Sequence, residues 1–233
     1  MALTIQRIHD TLLAAYGPQG WWPLLGVKGC NPTASGTLHG YHPGDYGFPR
    51  DEAQRFEIAV GAILTQNTAW PNVERALANL SAATALLPPA LLALSDADLE
   101  TAIRPSGYFR AKRRKLRELA AFWTRLDGRT PTRAELLAVW GIGPETADSI
   151  RLYAYGQPEM VVDAYTRRIL AALGLVPATA SDATIRSRCE AELRREVVVY
   201  QEFHALMVEH AKRCYRRQPW ADPLLAIGAE PRE

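Results

Sequence analysis

Cysteine, long apolar runs and strand-forming patterns are all scarce in this chain of 233 residues, and each scarcity closes off a class of protein. Only Cys30, Cys189 and Cys214 occur, with no C-x-x-C spacing. That argues against a disulfide framework and against a zinc or iron–sulfur site, so no metal is expected. No apolar run reaches the roughly 18 residues of a membrane-spanning helix. The opening MALTIQRIHDTLLAAYG lacks the basic start and small-residue cleavage site of a secretory signal. The expectation is a soluble, cytoplasmic protein with no membrane partner. Strand patterns are weak, VVVY at 197–200 being the only short β-branched run.

A net charge of +2 implies no acidic partner by itself. Its distribution says more. RAKRRKLR at 110–117 holds six basic residues in eight, and KRCYRR at 212–217 holds four in six. Each run reads either as a solvated helix face or as a phosphate-contacting surface.

What is abundant is helical periodicity. Leu3, Ile5, Ile8, Leu12 and Leu13 predict a helix over 2–16, and Phe56, Ala59, Val60, Ile63 and Leu64 predict another from Glu52. Between them, residues 26–51 carry six glycines and three prolines and read as a long irregular loop. Ser95 to Asp98 and Thr132 to Glu135 have capping-box spacing. Asp163 is placed to cap a helix from Ala164 to Leu173, and Ser181 to cap one over 182–199. A last helix is expected over 201–214, with AIGAEPRE frayed at the C-terminus.

GIGPETADSI at 141–150 places Gly141 at the end of one helix, Gly143 before the next and Pro144 at its first position. Two helices joined this tightly make a helix-hairpin-helix. Its outward N–H groups and helix dipole suit one or two phosphates, holding a backbone without reading sequence. Alone, such a pair of glycines is also an ordinary turn.

LLAVWGIGPETADSI followed by VVDAY resembles the helix-hairpin-helix base-excision glycosylases of the endonuclease III superfamily. AVGAILTQNTAWPNVERAL, SGYFRAKRRKL and HALMVEHAKRC resemble further segments of that family, so the likeness runs over roughly 50–215. It implies an all-α, two-lobed fold with a central cleft: a helical barrel over 50–155, and a second domain from 1–49 plus 156–233. It makes Asp163 the catalytic carboxylate, able to face positive charge on the sugar and to orient water. The bland role of Asp163, a helix N-cap, is compatible with this.

Two departures mark a subtype. Where bifunctional members carry a Schiff-base lysine, this chain has Glu145, which cannot form that adduct. Cys214 lies where the first cluster cysteine would be, but YRRQPWADPLL adds no other, so no iron–sulfur cluster or other cofactor is expected. Trp21 and Trp22 beside Pro23, with Phe56, look like the cluster-lacking 3-methyladenine glycosylase branch, where such residues sandwich the flipped base. Lys212 would lie near that pocket, neutralised or turned away; carbamylation is one route. Gln66 would fill the gap left by the base and Tyr108 would wedge the stack. Lys112, Gly141, Gly143, Glu145 and Thr146 complete the expected DNA-facing set. The expected protein is a monomeric, monofunctional glycosylase acting on alkylated bases in double-stranded DNA. A glycosylase for a mismatched or oxidised base, or a non-catalytic DNA-gripping module, are the alternatives.

Overall fold

The computed structural model describes residues 3–33, 39–218 and 220–228, and among these the only extended pairing is an isolated bridge from Cys30 to His39. Everything else regular is helical. The first half holds α1 (Ile5–Tyr16), α2 (Glu52–Leu64), α3 (Trp70–Ala83), α4 (Pro88–Ala93), α5 (Asp96–Ile103) and α6 (Phe109–Leu126). The second holds α7 (Arg133–Leu137), α8 (Pro144–Ser149), α9 (Ala164–Ala172), α10 (Asp182–Glu192), α11 (Val197–Cys214) and α12 (Pro223–Gly228). Residues 229–233, most of the segment expected to fray, lie outside the described residues, as does 34–38 of the long loop.

Side-chain caps set most of the helix starts. Thr4, Asp51, Ser95, Asp163 and Ser181 each accept from a backbone N–H three residues on, and Thr132 with Glu135 forms the full capping box. Helix α1 therefore begins at Ile5, later than the apolar spacing predicts. VVVY opens α11 instead of a strand, because a helix buried on nearly every face accepts β-branched residues. The expected helix over 182–199 breaks at Leu193, which turns extended and drops into the core before the chain restarts at Val197.

Two helices, α2 and α11, are buried almost all round and act as spines. Helix α2 packs on α3, α6 and α8; α11 packs on α1 and α9. A π-helical turn, Ile150–Ala154, continues α8 and touches both spines. Such widened turns recur at functional sites. The hairpin is fastened to α10 through Asp148, which is buried and accepts from Arg133 at 2.7 Å and from Arg186. At the other end, His210 of α11 contacts the Tyr16 hydroxyl at 2.9 Å and Asp222 at 3.0 Å, so α1 and the segment leading into α12 meet on one imidazole.

The basic run on α6 is mostly structural. Lys112, expected to face DNA, is 2% exposed and donates to the Leu64 carbonyl at 2.8 Å and the Ser106 carbonyl at 2.7 Å. It satisfies backbone acceptors left open at the end of α2 and in the 3₁₀ turn Arg104–Ser106. Burial, with Lys115 nearby, pushes its ammonium down to about 8. Arg113 and Arg117 pair with Asp96, and Arg117 also donates to the Leu91 and Leu92 carbonyls. Replacing Lys112 with Met strands two buried carbonyls. Urea unfolding of Lys112→Met is expected to report a loss of about 1–3 kcal/mol; a surface lysine would change stability by less than about 0.5 kcal/mol.

Candidate active site

A cleft of about 1220 Å³ opens between the hairpin and α11. This exceeds the roughly 300–1,000 Å³ of a small-molecule pocket and suits a larger substrate. Its aromatic wall comes from a backbone segment, Gly20 to Leu25, clamped between the spines. Glu202 on α11 accepts from Gln19 N at 2.8 Å, from Gly20 N and from the Tyr46 hydroxyl at 3.0 Å. Glu57 on α2 accepts from Leu25 N at 2.7 Å. Burial raises both carboxyls, Glu57 to about 7. The long glycine-rich loop supplies the outer brace: His42 Nε2 meets the Trp22 carbonyl at 3.1 Å, and Leu24 N donates to Gly40 O at 2.9 Å. Gly20 is obligatory here, with φ of +64° and space for a Cβ already taken by the His42–Pro43 backbone.

Trp21, Trp22 and Pro23 line the cleft. Trp22 lies edge-on to Trp70 at 5.4 Å and to Tyr153 at 5.2 Å, and Trp21 edge-on to His204 at 5.6 Å. Phe56 does not join them. It is fully buried against Trp123 at 5.5 Å, because six residues separate it from cleft-lining Ala62 and turn it about 240° round α2. Trp70, at the start of α3, stands in the wall instead. Lys212 also lines the cleft, its Nζ 5.8 Å from the Trp21 ring centre. Burial lowers its ammonium, opposed by Glu209 and reinforced by Arg216.

Asp163 both caps α9 and faces the cleft. Its Oδ1 accepts from Thr166 N at 2.7 Å, and Oδ2 stands 3.8 Å from His204 Nε2. His204 in turn meets the Tyr153 hydroxyl, presented by the π turn, at 2.8 Å through Nδ1. Burial holds the His204 imidazole below the ordinary range despite Asp163, so it is neutral at pH 7. The sequence carries no signal for His204 or Tyr153 beyond their types; only the fold brings them to Asp163.

Gly141, Gly143, Glu145 and Thr146 line the cleft from the hairpin. Gly141 has φ of +89°, and a Cβ there would run into the Lys115 side chain. Gly143 has an ordinary φ of −94°, and a Cβ there would meet nothing within 4 Å. Glu145 is solvent-exposed yet opens onto the cleft, where the surrounding protein and then the charges of Asp163 and Asp182 raise its carboxyl to about 7. Gln66 braces the hairpin, its amide donating to Gly141 O at 3.2 Å and Thr146 Oγ1 at 3.0 Å while its carbonyl accepts from Lys115. Entering a duplex would require Gln66 to release these bonds. Tyr108 lies outside the cleft lining, 72% exposed at the head of α6 with φ of +46°.

The donor set does not fit a four-iron cluster. Four thiolates are needed, and the chain has three cysteines: Cys30 is exposed, Cys189 is buried and Cys214 lies beside His210. His210, Cys214 and Asp222 have ligand atoms within 4.8 Å of one another, but Asp222 already accepts from Tyr215, His210 and Leu224 N.

Residues 60–195 match the HhH-GPD family, the HhH-GPD superfamily base excision DNA repair proteins. A relative in Methanocaldococcus jannaschii, named "Putative DNA repair glycosylase MJ1434", is 35% identical over 94% of this chain and 91% of its own length. The fold is similar to that of a trapped endonuclease III–DNA covalent intermediate (TM-score 0.74, 20% identity, 96% of this chain and 95% of that one). It is also similar to H. pylori 3-methyladenine DNA glycosylase bound to 1,N6-ethenoadenine (TM-score 0.69, 24% identity, 91% and 98%).

The indole of Trp22 fills the space beside Gly61, where an added Cβ would stand 3.0 Å from Nε1. Gly61→Ala gains up to about 1 kcal/mol of helix propensity but pushes Trp22 toward the cleft. Its tryptophan emission is expected to shift while the fold holds; unchanged emission would contradict this packing.

Proposed function

The chain belongs to the HhH-GPD superfamily of base excision DNA repair proteins, and from that premise we propose that it is a monofunctional DNA glycosylase for alkylated purines, 3-methyladenine first. The observation that carries this reading is the meeting of an indole wall, Trp21, Trp22 and Trp70, with Asp163 in one cleft. A purine alkylated at N3 or N7 is cationic, and an aromatic face attracts a cation by about 0.5–2 kcal/mol. It is also an activated leaving group, so little acid assistance is required.

The duplex is gripped through its backbone by the hairpin. The fold does not require glycine at 143, and the room left there suits a closely approaching phosphate. The damaged nucleotide turns out of the stack at a cost of a few kcal/mol, least for a weakened pair, and the base enters the indole wall. Asp163, held by Thr166 N, faces the positive charge that builds on the deoxyribose as the C1′–N bond lengthens. Water completes the hydrolysis and leaves an abasic site. With Glu145 in place of an amine no Schiff base forms, so the strand stays intact. The protein works as a monomer without a cofactor.

Incubated with methylated duplex DNA, the protein is expected to release 3-methyladenine, and Asp163→Asn to lower that rate by about 10²–10³-fold. Full activity in Asp163→Asn would overturn the assignment. Products should remain uncut until heat or alkali, and borohydride should trap no covalent complex; a trapped wild-type adduct would contradict the monofunctional reading.

A further inference from the structure

Glu145 is an anomaly in the cleft. Among the described residues no cation pairs with it and no donor holds it, while two other carboxylates, Asp163 and Asp182, face it. The neighbouring cations are engaged elsewhere. Lys115 donates to Gln66, Arg167 pairs with Asp182 and the Ala180 carbonyl, and Arg168 lies over the Tyr165 ring at 5.8 Å. His204 approaches Asp163 and is neutral. Its place in the first turn of α8 favours a carboxylate through the helix dipole, but among the described residues no side chain pairs with it there.

Asp163 has the opposite situation. One oxygen accepts from Thr166 N and the other stands 3.8 Å from His204 Nε2, so the side chain is held in place by its cap. Two carboxyls of one cleft thus differ in freedom. Environments that set two acids apart in this way commonly divide the labour of charge stabilisation and proton transfer.

We propose that Glu145 is a second catalytic carboxyl, the base that orients the attacking water and takes its proton while Asp163 faces the sugar cation; this rests on the glycosylase reading above. In the step, the C1′–N bond breaks with its electron pair leaving on the purine. The water oxygen bonds to C1′, and one water proton passes to the Glu145 carboxylate. A cationic base departs neutral, so charge and atoms balance. A carboxyl raised to about 7 suits a base working near neutrality.

Single-turnover release of 3-methyladenine from methylated duplex is measured from pH 5.5 to 8.5 for wild type, Glu145→Gln and Asp163→Asn. Affinity for a duplex carrying a non-cleavable abasic analogue is measured alongside. The carboxyl must be ionised to act, so the wild-type rate is expected to fall as pH drops through about 7. Glu145→Gln is expected to lose about 10²-fold at high pH, to flatten that limb and to keep its affinity. Wild-type rate and pH profile in Glu145→Gln, with Asp163→Asn inactive, would overturn this proposal alone. Loss of analogue affinity in step with rate would also overturn it, marking Glu145 as a binding residue. No release by wild type would overturn both readings.

Discussion

Two carboxylates withdrawn from water, Glu57 and Glu202, hold the ends of the tryptophan segment, and the aromatic half of the cleft depends on them. A segment of irregular backbone cannot be buried unless its N–H groups find acceptors. Here the acceptors sit on α2 and α11, the two helices buried on nearly every face. The position of Trp21 and Trp22 is therefore inherited from the packing of the whole molecule. The described part of the glycine-rich loop closes this clamp from outside through Gly40, His42 and Tyr46.

The polar half of the cleft is built by the same logic on the other side. Gln66 reaches the hairpin from the turn after α2, backed by Lys115 of α6, and Asp148 ties the hairpin's second helix to α7 through Arg133 and to α10 through Arg186. Charges that sequence alone would spread over a solvated surface are mostly spent inside, on carbonyls and carboxylates. On this side of the cleft Gly143, with empty space beside it, and Glu145, unpaired among the described residues, are open to solvent, while Asp163 is buried.

Much of this was legible in the sequence. Caps depend on local hydrogen bonds, so Thr132–Glu135, Ser181 and Asp163 could be read from spacing, as could a turn at Gly141 and Gly143, but the first hairpin helix stops at Leu137 and not at Gly141 as expected. Trp21 and Trp22 were legible as a pair. Phe56 was misplaced because helix phase decides which wall a residue faces, and a short apolar motif does not contain it. Lys112 was misread because a run of six cations looks alike whether its members meet water or a carbonyl. Trp70, Tyr153 and His204 were invisible for the opposite reason. Each is an unremarkable residue on its own helix or turn, and their meeting is a property of long-range packing.

Asp163 occupies two offices at once, and they respond differently to change. As a helix cap it is interchangeable with asparagine, since either side chain can accept the backbone N–H of Thr166. As a charge it is not. Under the proposed function, loss of chemistry through Asp163→Asn therefore need not come with loss of shape, because the cap on α9 is kept and with it the hairpin and the indole wall. On that reading such a chain would act as a shield over a lesion, hiding it from working copies instead of leaving it bare. Failure at this one position would then be more obstructive than absence of the whole protein.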